Sequence, residues 1–142
     1  MDSSMMTTEL TVLALAGILQ VIQLMLMAIP ANLELGTAKT LSPRDAEKLG
    51  GSLQSQVSTR TARLMRALNN HFEALLLFAI AAIVVSLSGQ SSNVTALCAW
   101  AYLLARILYI PAYVLGWVPY RSIIWAVGLA ATVLMLVMAL IP

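Results

Sequence analysis

The stretch from Arg63 to Phe78 reads R-L-M-R-A-L-N-N-H-F-E-A-L-L-L-F, a charged segment that leads straight into hydrocarbon. Arg63, Arg66, Asn70 and Glu73 recur at i, i+3, i+7 and i+10, so on an α-helix they project from one narrow face. The opposite face is apolar apart from His71. Ionisable groups at membrane depth are costly unless they face a bundle interior or a wet cavity, so this face reads as the wall of a binding site. His71 points away from it and reads as a packing or interface residue, not a base.

The rest of the chain supplies the membrane setting. Of its 142 residues, 61% are hydrophobic and 10% charged, and the mean hydropathy is +0.89, far from the composition of a soluble domain. The expected fold is all-α, an integral membrane protein built as a four-transmembrane-helix bundle. A single membrane domain over 1–142 would hold spans near 8–30, 59–88, 93–117 and 121–141, with a polar loop over 31–58. Gln20 and Gln23, the only amides of the first span, either hydrogen-bond across to a neighbouring helix, the favoured reading, or line the site. Pro30 is expected to help end that span, and Ser42-Pro43-Arg44-Asp45-Ala46-Glu47 looks like the start of a short helix in the loop.

Depth and orientation follow from length and charge. Ala74 to Leu87 is uncharged but reaches only about 21 Å of a hydrocarbon core of about 30 Å, so the second span must draw Glu73 and Asn70 below the membrane surface. Lys39, Arg44, Lys48, Arg60, Arg63 and Arg66 belong to the first loop and the start of the second span, and Arg121 to the third loop. This asymmetry places the first and third loops in the cytoplasm. The net charge of +2 comes with neither an exposed basic stripe nor a reading module, which excludes nucleic acid as a partner. Cys98, the only cysteine, allows no intrachain disulfide and no Cys-based metal site, and reads as a small buried hydrophobe. No metal is expected. Asp2 and Glu9 occupy the place where a secretory signal would carry basic residues, so no cleavable signal is expected.

The third span repeats the pattern of the second. Tyr102, Arg106, Tyr109 and Tyr113 fall at i, i+4, i+7 and i+11, again on one face, and Pro111 should kink the helix beside them. Measured from the turn at Gly89 to Asn93, Glu73 lies about 21 Å and Arg106 about 18 Å along antiparallel helices. At one depth, the two should pair directly or through water. A competing reading makes this structural glue, an ion pair and interface tyrosines that only fix helix register. Against it stands the excess of donors. Arg63, Arg66, Arg106 and Arg121 approach one region with Glu73 as the sole acid, and free guanidinium groups suit carboxylate ligands.

The string R-x-x-R-A-x-x-N-x-x-E, occupied by Arg63, Arg66, Ala67, Asn70 and Glu73 and followed by Leu77-Phe78, resembles the second-helix signature of the MAPEG family, the membrane-associated proteins in eicosanoid and glutathione metabolism. The Ala105-Arg106, Tyr109 and Tyr113 pattern and the Arg121-Ser122 pair are similar to the third helix and fourth-helix start of its members, and the likeness extends over nearly the whole chain. The resemblance implies a homotrimer with glutathione bound between adjacent subunits near the cytoplasmic side, and the compact chain without an organelle signal suggests a bacterial-type member. By the same resemblance Arg66, Asn70, Glu73, Arg106, Tyr109 and Tyr113 would hold glutathione as co-substrate, while Arg121 and Ser122 would stabilise its thiolate.

The function this implies is a membrane-embedded glutathione-dependent transferase or peroxidase, which conjugates or reduces lipophilic electrophiles arriving from the lipid of a bacterial inner membrane. Two other classes compete: a non-catalytic binding or scaffold protein, and a small transporter that uses Glu73 and Arg106 as a coupling pair. Four positions depart from the family pattern. Glu34 stands near the end of the first helix where relatives carry a base, Leu76 replaces a proline that often follows the motif glutamate, and Leu68 and Ala74 replace a glutamine and a tyrosine.

Overall fold

A computed structural model describes residues 6–36 and 52–141. The candidate helix start at 42–47 and the loop charges Lys39, Arg44 and Lys48 lie outside the described residues. Four long helices account for most of the chain: α1 (Thr8–Leu35), α3 (Thr59–Leu87), α4 (Asn93–Val114) and α5 (Tyr120–Leu140), with one short turn, α2 (Leu53–Gln56), before α3. All four are long and apolar enough to cross a membrane. Their outward faces carry large apolar side chains, among them Ile18, Phe72, Leu104 and Val137, as lipid contact requires.

Local chemistry explains most of the boundaries. Thr7, Ser58 and Ser92 cap α1, α3 and α4, each accepting from a backbone N–H three residues on at 3.2 Å, and Thr95 returns the bond to Ser92 N at 2.8 Å to complete a capping box. Gly36 and Gly116 follow the ends of α1 and α4 with φ of 84° and 71°, a backbone region that favours glycine. Pro30 does not end α1. The helix continues to Leu35, because a proline so near the end costs a single ladder bond, and Asn32 Nδ2 donates to the Ala28 carbonyl at 2.8 Å to brace the turn. Pro111 likewise lies inside α4, which stops at Val114, short of the expected 117.

The bundle is arranged with α1 and α5 at opposite corners and α3 and α4 each touching both; the most extensive packing is α4 on α5 and α1 on α3. The core gathers Val12 and Ala16 of α1, Phe78, Ala81, Ala82 and Val85 of α3, Cys98, Ala99, Tyr102 and Leu103 of α4, and Ala131 and Met135 of α5. Its alanines let the backbones approach closely, which is how helices gain contact where lipid supplies no hydrophobic drive. Cys98 is buried and free, as read from the sequence. Apolar packing therefore concentrates away from the end bearing Arg63, Arg66 and Arg121, here termed the basic end, and leaves polar groups between the helices there.

Polar links tie the bundle together outside that core. Gln20 bonds to Nδ1 of the fully buried His71 at 2.5 Å, joining α1 to α3 as the favoured reading required, whereas the buried Gln23 Oε1 has no partner; His71 is packed inside the bundle. At the end opposite the basic one, buried Glu9 accepts from Ser91 Oγ at 3.0 and 2.8 Å and from Thr95 Oγ1 at 2.5 Å.

Candidate functional site

The polar faces of α3 and α4 meet at the basic end, and each arginine there has a different fate. Arg63 Nη1 donates to the Val114 carbonyl at 3.0 Å, closing the C-terminus of α4. A Cβ on Gly116 would lie 3.2 Å from the same nitrogen, so a side chain there would make the arginine shift by a few tenths of an ångström, and the φ of 71° favours glycine at this position. Arg63 is thus spent on a helix end and does not join the ligand-facing group expected of it. Arg66 Nε donates to the Tyr113 hydroxyl at 3.0 Å, and Arg121 lies over the Tyr113 ring, 4.9 Å from its centroid. One tyrosine from α4 holds two cations, one at its oxygen and one at its face.

Arg106 is the buried one, 3% exposed. Its Nη1 donates to Asn70 Oδ1 at 2.9 Å, and its guanidinium stacks 4.3 Å from the Tyr109 centroid. Its Nε and Nη2 have no partner. Of the two pairings expected between Glu73 and Arg106, direct or through water, the direct one is not made: Arg106 turns to Asn70 and Tyr109, while Glu73 is exposed on the flank of α3. Equal depth brings both residues to one cavity without bringing them into contact. Among the described residues, no carboxylate forms an ion pair with any of these arginines.

Two adjoining cavities open between α3, α4 and α5. The outer one, about 230 Å³, is lined by Asn70, Tyr109, Tyr113, Arg121, Ser122 and Trp125. The inner one, about 110 Å³, also touches Asn70 and Trp125; Glu73, Arg106 and Tyr102 supply its other polar wall groups along with Thr132. Ala74, Leu77, Gly128 and Leu129 make the remainder apolar. Seven of the eight residues singled out in the sequence line one cavity or the other, and Arg66 joins them through Tyr113.

The profile of the MAPEG family matches residues 12–141. The chain belongs to the MAPEG family. No curated protein and no solved structure matches it. The family match and the four apolar helices establish a four-span MAPEG membrane bundle, of a family concerned with eicosanoid and glutathione metabolism.

The wall that sequence reading missed in this MAPEG protein is α5. Trp125, Gly128, Leu129 and Thr132 fall at helical spacing and form one side of the inner cavity, yet in the sequence they are ordinary members of an apolar span. Tyr102 stood in the periodic tyrosine pattern but was not singled out, and it proves to line the same cavity. Glu34, the acid where a base was expected, accepts from Ser58 N at 2.5 Å and from Thr61 Oγ1, so it caps the start of α3.

Proposed function

We propose that this MAPEG protein is a glutathione-dependent transferase or peroxidase that acts on lipophilic electrophiles. The observation that carries the reading is a set of three arginines: Arg106 and Arg121 line two adjoining cavities, Arg66 is tied to them through Tyr113, and among the described residues none of the three is ion-paired with a carboxylate. Glutathione, with two carboxylates and one ammonium, fits this balance. The two buried, unpartnered nitrogens of Arg106 call for an anion, and Glu73 in the same cavity is a counterpart for the ammonium.

Bound there, glutathione would supply a nucleophilic sulfur. Asn70 holds Arg106 in place, and Tyr113 holds Arg66 and Arg121, so the binding groups are oriented before a ligand arrives. A thiol with a pKa of about 8.5 yields more thiolate at neutral pH beside a fixed cation. Arg121 and the Ser122 hydroxyl, both on the outer cavity, are the groups assigned to stabilise that charge. Trp125, Leu77 and Leu129 give the lipophilic partner an apolar approach from the flank.

The assembly is read as a homotrimer in a bacterial inner membrane, with the basic end in the cytoplasm. Arg66, Asn69 and Glu73 are exposed along one side of α3 beside apolar neighbours, with Phe72 62% and Leu76 61% exposed. Charges at that depth are costly against lipid, and a neighbouring copy would cover them.

Calorimetric titration of glutathione into the purified protein tests the reading, alongside turnover of 1-chloro-2,4-dinitrobenzene and cumene hydroperoxide. Saturable binding is expected, with Arg121→Gln lowering turnover about a hundredfold and weakening binding much less. No saturable binding at millimolar glutathione sinks the proposal.

A further inference from the structure

The inner cavity offers donors that no group in the described residues answers. Tyr102 is 1% exposed and its hydroxyl has no partner. Its ring lies flat on Phe78, with centroids 4.0 Å apart and an interplanar angle of 4°, so packing fixes where the hydroxyl sits. One turn along α4, Arg106 presents Nε and Nη2, also buried and unpartnered. Its third nitrogen is taken by Asn70 and its face by Tyr109, which leaves the guanidinium little freedom to turn. In arginine the Nε–H and the adjacent Nη2–H point the same way and form a two-pronged edge that matches a carboxylate. Buried donors without acceptors are costly, and the cavity has more room than a single water needs.

We propose that the inner cavity is a carboxylate subsite in which Tyr102 is a ligand-positioning residue. The free edge of Arg106 takes both carboxylate oxygens, and the Tyr102 hydroxyl donates to one of them. The flat stack on Phe78 then sets how deep the carboxylate sits, and Asn70 sets its angle through Arg106. Two sources offer this chemistry. One is a carboxylate of glutathione reaching inward from the outer cavity, which rests on the function proposed above. The other is the head of a single-chain amphiphile that enters between Leu77 and Trp125, whose 44% and 42% exposure opens the cavity to the flank of the bundle.

Tyr102→Phe keeps the ring and its stack while removing the hydroxyl. In lipid-bilayer discs, wild type and Tyr102→Phe are titrated with glutathione and its diethyl ester, and separately with dodecanoate and dodecanol. Wild type should favour at least one acid over its neutral partner. Tyr102→Phe should weaken that acid about tenfold and the neutral analogue by less than about twofold, since the lost bond is to a charged acceptor. A change confined to glutathione identifies the first source, and one confined to dodecanoate the second.

Equal weakening of acid and neutral analogue is what a merely structural tyrosine would give, and it overturns the proposal. So does a wild type that discriminates neither pair, an outcome that needs no variant to fold. Glutathione binding that survives Tyr102→Phe, with dodecanoate binding also unchanged, removes the subsite and leaves the proposed function standing. If wild type binds dodecanoate but not glutathione, the proposed function falls and the Tyr102→Phe comparison on dodecanoate decides the subsite.

Discussion

The two ends of the bundle treat a buried charge in opposite ways. Glu9, 0% exposed, is answered by the hydroxyls of Ser91 and Thr95 on the turn and helix it packs against. Arg106, 3% exposed, has one hydrogen bond to Asn70, a ring on one face, and two nitrogens left over beside a cavity. A charge whose partners are all supplied by the chain contributes to the fold. A charge left short of partners at a cavity costs the fold something and reserves those partners for a ligand. The contrast separates structural polarity from functional polarity without reference to which residue types are involved.

Removing the under-satisfied charge should give the largest effect. Arg106→Ala is expected to weaken glutathione binding by about 3 kcal/mol, or roughly a hundredfold, because a desolvated charge contact is lost. Stability should hold or rise slightly, since an incompletely paired buried guanidinium goes with it. Calorimetry and thermal unfolding on the same preparation read both quantities. An Arg106→Ala protein that binds as wild type but melts early would make Arg106 structural glue and erase the contrast.

Glu9→Ala is the mirror experiment and should be smaller. The hydroxyls of Ser91 and Thr95 lose their charged acceptor, at an expected cost of about 2 kcal/mol in unfolding free energy. Glutathione affinity should stay at the wild-type value, because the lost bonds sit at the far end of the bundle. Loss of binding without loss of stability would show that the two ends are coupled, which the contact pattern does not anticipate.

The sequence made some of this legible and hid the rest for identifiable reasons. The α3 face could be read because charge and helical period coincide: Arg66, Asn70 and Glu73 stand out against hydrocarbon and fall on one side. The four helices could be read because apolar runs of that length have few other solutions. Hidden were the details that depend on azimuth. Depth along antiparallel helices correctly brought Glu73 and Arg106 to one cavity, but it says nothing of which way a guanidinium turns, and Asn70 and Tyr109 took it. Arg63 looked like its neighbours and is a helix cap. The α5 wall was invisible because a cavity is an absence: nothing in Trp125, Gly128 or Thr132 as letters says that the space beside them is empty. Pro30 misled because a proline near a helix end costs too little to stop it.

Glu34 sharpens the comparison most, although its effect is the smallest. It lies at the basic end, close in sequence to where relatives carry a cation, so position alone would assign it to ligand binding. Its bonding pattern says otherwise. Both carboxylate oxygens are engaged, one by the Ser58 backbone N–H and one by the Thr61 hydroxyl, at the start of α3 where the helix dipole favours a negative charge. If satisfaction and not location marks the structural charges, Glu34→Ala behaves like a lost N-cap, costing about 1 kcal/mol in stability with glutathione affinity unchanged. If location governs, removing this acid relieves repulsion near an anionic ligand, so affinity rises and stability hardly moves. Titration and unfolding of that one variant separate the two rules.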